Sequence, residues 1–157
     1  NFLKQAGYST TEIGFLWAVG VMAEIIMFAI AHIFFKRFSW RLMVSICLIL
    51  TALRWFMVGS FPQILAIQFF AQTIHAFSFG LFHLIAMRII FQNFSLGQQG
   101  RGQALYSTMW GLGVASGSIL AGHYWHSLSG EHIFILAGCA VLLGLGLVRY
   151  LPKEVQA

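Results

Sequence analysis

The sequence predicts an all-α, polytopic transmembrane helix bundle, with five full spans preceded by the end of a sixth helix. Three observations predict it. The chain of 157 residues is 59% hydrophobic and only 8% charged, with a mean hydropathy of +0.83. Soluble domains average about 45–50% apolar and about 25% charged, and a chain this short has too little interior to hide the surplus. Apolar runs also recur at close to the roughly 20 helical residues that cross a bilayer core of about 30 Å. Finally, Lys and Arg sit at the ends of those runs. The net charge of +5 is not gathered into the basic patch that a nucleic-acid partner would require; the expected surroundings are membrane lipid.

The runs cover residues 13–35, 42–61, 63–87, 104–125 and 133–151. Backbone groups in lipid must be paired within the chain, so each run reads as a helix. Short polar links divide them: KRFSWR, a turn around GSFP, QNFSLGQQGRGQ and HSLSGEH. With the links numbered alternately, Lys36, Arg37, Arg41, Arg88, Arg101, Arg149 and Lys153 share one side, and Lys4 stands alone on the other. The positive-inside rule makes the cation-rich side cytoplasmic, together with the tail PKEVQA. Asn1 then falls outside. With no initiator Met and no signal-like start, that placement calls for an odd number of spans upstream. NFLKQAGYS reads as the outer end of a preceding helix and its loop.

Within the runs, ionisable groups stand out, because a charge at mid-membrane is costly and marks a functional site by default. The first run carries Glu24 at its centre, the second Arg54, the third His75. At about 1.5 Å of rise per residue, their depths are similar, and one cavity can hold all three. Gln68, Gln72, His75, Phe79 and His83 follow spacings of four, three, four and four, which puts them on one helical face. Trp17, Gly20, Glu24, Phe28 and Ala31 form a matching stripe on the first run. Blander readings stay open for each: a Glu24–Arg54 pair locking two helices, or Gln68, Gln72 and His75 as interhelical hydrogen bonds. Arg88, Arg149 and Trp40 read as interface anchors.

The fourth run, GLGVASGSILAG, is a stripe of small residues, expected to let helices pack closely; Gly138, Gly144 and Gly146 are expected to do the same in the fifth. Cys47 and Cys139 lie inside apolar runs and read as packing residues. GQQGRGQ lacks the Lys-Ser/Thr end and the preceding strand of a phosphate loop. His123, His126, Glu131 and His132 are spaced too loosely to argue for a metal, and no metal or cofactor is expected. His75 and Ser78 have no orienting carboxylate for a nucleophilic triad, so the protein is not expected to be an enzyme.

Four segments carry a family resemblance: AGYSTTEIGFLWAVGVMAEI, LTALRW, QTIHAF and GRGQALYS. In that order and spacing, the chain resembles the C-terminal half of a major facilitator superfamily transporter, helices eight to twelve after the end of seven, over residues 1–157. It is most similar to the branch that holds phenylpropionic acid, nucleoside and lactose transporters. The resemblance implies a twelve-helix bacterial inner-membrane protein whose N-terminal half lies upstream. From the lactose-permease pattern, it implies that Glu24 serves substrate recognition and charge coupling, Arg54 a proton-coupling network, and His75 the link between substrate and proton sites. Gln72 stands where that pattern has a lysine, and Ser78 where it has the proton-releasing glutamate. Either Glu24 carries the proton here, or the other half does.

The resulting expectation is a symporter that takes up a small aromatic carboxylate with protons by alternating access. Glu24, Arg54 and His75 couple the proton; Arg54, Gln72, His75, Trp17, Phe28, Gln68 and Phe79 contact the substrate. A guanidinium suits a carboxylate, and aromatic side chains suit a ring. Gln68, Gln72 and His75 also suit hydroxyl-rich ligands, which keeps a nucleoside or sugar symporter as the alternative.

Overall fold

The structure, a computed structural model, describes residues 2–125 and 127–152. Asn1, His126 and residues 153–157, among them Lys153 and most of the PKEVQA tail, lie outside the described residues. Every regular element among the described residues is helical.

The chain opens with one turn, α1 (Phe2–Gln5). Tyr8 N–H reaches back to Leu3 O at 3.0 Å, and Gly7 sits at φ +97°. A left-handed glycine with such a back-bond is the common way to end a helix and turn the chain. Ser9 then starts α2 (Thr10–Arg37) with a reciprocal cap: Glu12 N–H donates to Ser9 Oγ at 3.2 Å, and Ser9 N–H donates to Glu12 Oε2 at 2.8 Å. This pairing satisfies donors that a helix start leaves open. Ser39 caps α3 (Trp40–Ser60) with a single bond, its Oγ accepting from Leu42 N–H at 3.4 Å.

The third long helix differs from its expected span at both ends. Residues 61–64 turn around Pro62, so α4 starts at Leu65 rather than at residue 63. It covers Leu65–His75, passes through a π-helical segment at Ala76–Leu81, and continues as α5 (Phe82–Asn93), beyond the expected end at residue 87. A charge ends an apolar run without ending a helix. Arg88 lies inside α5 with its guanidinium 4.8 Å from the ring centroid of Phe35, within range of a cation–π attraction.

Two further spans need correction. The fourth forms α6 (Gln99–Tyr124), which starts five residues early and has ample length, but its glycines and serines dilute it. It is absent from the four helices that are both long and apolar enough to cross a membrane: Thr10–Arg37, Trp40–Ser60, Leu65–Asn93 and Gly130–Tyr150. The fifth begins early as α7 (Gly130–Leu143) and tightens into a 3₁₀ stretch at Gly144–Tyr150.

α3 is the hub. It packs most extensively against α7 and also touches α4 and the π segment, while α2 lies along α4 and the π segment. Met27, Ala31, Trp40, Met43, Cys47, Leu81 and Ile85 form the buried cluster. Trp40 Nε1 donates to Pro152 O at 3.0 Å, and Arg41 donates to Leu151 O, which fastens the chain's C-terminal end to the start of α3. Lipid is as apolar as these side chains, so contact area and polar tethers hold the helices together here. Gly59 and Gly138 meet that need: a Cβ on Gly59 would lie 2.9 Å from Glu131 O, and one on Gly138 would lie 2.6 Å from the Phe56 ring.

The stripe on α6 behaves otherwise. Only Gly102 of that helix is buried, and Gly111, Gly113, Gly117 and Gly122 have nothing within 4 Å of a would-be Cβ. Close packing of this stripe within the chain, expected from composition, is not found. Gly146 is equally open, whereas Gly144 meets Leu48 at ordinary distance. Outward-facing Ile, Leu, Phe and Val line α2, α6 and α7, as suits helices bathed in lipid.

Candidate functional site

α2, α3 and α4 converge on a cavity of about 440 Å³. α2 offers Trp17, Gly20 and Glu24 at spacings of three and four, one helical face. α3 supplies Arg54, and α4 supplies Gln68, Gln72 and His75. Gly20 is what brings the walls together: a Cβ there would sit 3.1 Å from Gln72 Oε1 and 3.6 Å from His75 Cδ2. Trp55, Phe2 and Phe134 complete an aromatic rim.

Glu24 Oε1 lies 2.8 Å from His75 Nε2. This is the ion-pair distance between α2 and α4, and it takes the place of the Glu24–Arg54 pair that the sequence left open. Proton and charge belong to the Glu24–His75 pair jointly, because the two nitrogen and oxygen atoms share one contact. The other imidazole nitrogen, Nδ1, is buried without a hydrogen-bond partner among the described residues.

Arg54 is held differently. Its guanidinium lies 4.4 Å from the centroid of the neighbouring Trp55 ring, within range of a cation–π attraction. One Nη donates to Ser78 Oγ at a long 3.5 Å, and Nε has no partner. No carboxylate of the described residues comes within 4.0 Å of it. A guanidinium offers five donors in a planar fork, and most of this fork is free to face the cavity.

Two expected contact residues lie elsewhere, and a third has another duty. Phe28 does not line the cavity; its ring edge rests over Gly80 of the π segment. Phe79 also lies outside the wall, stacked between His75 and His83. Gln68 reaches the wall but is 1% exposed, and its Nε2 donates to Phe61 O at 3.0 Å. That bond ties down the turn ahead of α4.

Sequence reasoning missed Trp55 and Phe134, whose rings stack at 5.4 Å. Trp55 had a signal, being the aromatic next to an intramembrane arginine. Phe134 had none, since it reaches the site from α7 through tertiary packing. Between α6 and α7, Ser129 Oγ engages His132 Nδ1 at 2.7 Å, and no three metal-binding side chains converge among the described residues.

Comparison with known proteins identifies the family. The sequence model of the MFS_1-like family matches residues 1–136. A protein of Escherichia coli (strain K12), described as a probable 3-phenylpropionic acid transporter, is 33% identical over an alignment of 164 residues. The alignment takes in 99% of this chain and 40% of the relative, so the chain spans less than half of that relative's length. No solved structure matches the chain. With its long apolar helices, this multi-pass membrane chain belongs to the MFS_1-like family of major facilitator superfamily transporters.

Proposed function

We propose that this chain is the C-terminal half of a proton-coupled importer for a small aromatic carboxylate such as 3-phenylpropionate, residing in a bacterial inner membrane with its C-terminus in the cytoplasm. The N-terminal half of the same protein would close the cavity, and the two halves would rock about the site. The observation that carries this reading is a single cavity holding an acid–imidazole pair beside an arginine with no acidic partner among the described residues. The name of the Escherichia coli relative points to the same substrate class.

The coupling follows from charge. With Glu24 ionised, His75 neutral and Arg54 cationic, the empty cavity is electrically balanced. One proton added to the Glu24–His75 pair neutralises it and leaves the cavity with the net positive charge of Arg54, and one carboxylate bound at Arg54 restores balance. Empty and fully loaded cavities therefore cross a low-dielectric barrier cheaply, whereas half-loaded ones carry an uncompensated charge, which is costly in hydrocarbon. The substrate's ring would lie against Trp17, Trp55 and Phe134, and its carboxylate would take the free donors of Arg54.

Uptake by the full-length protein with Glu24→Gln tests this. That variant leaves the cavity permanently cationic, so labelled 3-phenylpropionate should still exchange across the membrane, while proton-driven accumulation disappears. Accumulation at the parent level would overturn the reading. A nucleoside or sugar substrate is less well supported, because Gln68 already spends its amide on Phe61 O. Competition by unlabelled phenylpropionate against nucleosides and disaccharides separates the two readings.

A further inference from the structure

Beyond the cavity, the polar face of the third long helix continues as a column of rings. His75 and Phe79 stack with centroids 5.8 Å apart and planes 14° from parallel. Phe79 and His83 stack at 6.0 Å and 13°. His83 Nδ1 is 3.2 Å from the hydroxyl of Tyr106 on α6, and Trp110, one turn further along α6, presses edge-on against Phe79 at 5.5 Å.

The column owes its alignment to the π segment. In an α-helix, residues four apart advance by about 40° around the axis, so three successive rings would fan out. A π turn closes one residue later, as the bond from Phe82 N–H to Phe77 O shows, and it cancels part of that advance. His75, Phe79 and His83 are therefore brought nearly into register, with an imidazole at each end and a phenyl ring between them.

We propose that His83 and Tyr106 form a second proton-holding site, separated from the Glu24–His75 pair by Phe79 acting as an apolar gate. This deepens the coupling reading given above and rests on it. A proton accepted by His75 at Nε2 from Glu24 is released from Nδ1, the nitrogen that is buried without a partner. The two imidazoles lie about 12 Å apart along the helix, too far for direct transfer. The Phe79 ring must swing aside and admit water before the proton reaches His83, which passes a proton on from its other nitrogen toward Tyr106. The displacement runs toward the helix ends that carry Arg88 and Arg101.

Few charges compete at the second site. α2 contributes Glu24, which is engaged by His75, and His32, which is turned onto Ala29 O. α3 contributes Arg54 at the cavity, and Arg88 of α5 faces Phe35. Among the described residues, α6 brings only Tyr106 within hydrogen-bonding distance of His83.

The test uses the full-length protein in liposomes, with 3-phenylpropionate as the probe and a trapped pH dye. Tyr106→Phe keeps the ring packing and removes only the hydroxyl. For it, and for His83→Asn, the ratio of proton-driven uptake to exchange should fall about tenfold, the scale of a lost proton-transfer group. Phe79→Ala should raise proton leak without substrate by about the same factor. Parent-level ratios in both His83→Asn and Tyr106→Phe, with no added leak in Phe79→Ala, would overturn the second site while leaving the importer reading intact. A parent protein that moves 3-phenylpropionate without protons would overturn both.

Discussion

At the residue scale, Arg54 and Gln68 are two polar side chains on the wall of one cavity, and their bonding separates their duties. Arg54 has a free fork, so its worth should show in substrate affinity. Arg54→Lys retains the charge but loses planar, bidentate geometry. We expect the KM for 3-phenylpropionate to rise about tenfold, equivalent to about 1.4 kcal/mol, with a larger rise for Arg54→Gln; an unchanged KM in Arg54→Gln would remove the arginine from the substrate site. Gln68 is buried and bonded to a backbone carbonyl. Gln68→Leu should lower the melting temperature of the detergent-solubilised full-length protein, because it removes a side-chain hydrogen bond worth about 0.5–1.5 kcal/mol and leaves Phe61 O with only its 3.3 Å bond from Ile64 N–H, with little change in KM. The three intramembrane ionisable residues were legible from the sequence, because their position in apolar runs is costly whatever the fold. Which of them pair was not legible: helical depth puts Glu24 near both Arg54 and His75, and only the rotation of α2 against α4, permitted by Gly20, selects the imidazole.

At the element scale, the helices could be read from hydropathy, but their ends and their contacts could not. Hydropathy stops at Arg88, yet α5 continues to Asn93, with the arginine's guanidinium accommodated over the Phe35 ring. Nor does any local pattern announce the π segment, whose longer turn closes with the bond from Phe82 N–H to Phe77 O. Composition treats all the glycines of the last two spans alike, whereas packing does not: Gly111, Gly113, Gly117 and Gly122 are open and Gly138 is crowded. The α3–α7 contact gives a sharp contrast. A Cβ on Gly59 would meet a backbone oxygen of Glu131, which cannot move without shifting α7, while one on Gly138 would meet the outer edge of the Phe56 ring, which can swing. Gly59→Ala should therefore destabilise the protein by about 1–3 kcal/mol, seen as a lower melting temperature and reduced yield in the membrane. Gly138→Ala should cost less, and the reverse order would mean that the α3–α7 interface is looser than described.

At the scale of the whole molecule, the cavity is one wall of a larger space. Its aromatic rim comes from α1, α2, α3 and α7, while α6 stands almost free of the other helices with its small residues uncovered. The chain spans 40% of its Escherichia coli relative, and in the proposed importer the remainder supplies the facing wall. Such a transporter must cross its own barrier in two states only, empty and fully loaded. In the charge scheme above, both states are balanced: Glu24 against Arg54 when empty, and Arg54 against one carboxylate, beside a neutral protonated Glu24–His75 pair, when loaded. The expected stoichiometry is one proton per carboxylate, and transport should be electroneutral, provided that the facing wall adds no charge of its own. A membrane potential of 100 mV would contribute about 2.3 kcal/mol for each net charge moved, so the distinction is easily read. Full-length protein on a solid-supported membrane should give no sustained current when 3-phenylpropionate is added under a pH gradient, and accumulation should follow the pH gradient and ignore an imposed potassium diffusion potential. For Glu24→Gln the anion would travel with a permanently cationic cavity, and exchange should likewise be insensitive to potential. A potential-driven current in the parent protein would mean that a second proton moves with each substrate, held at the proposed His83–Tyr106 site or by an ionisable group in the facing wall.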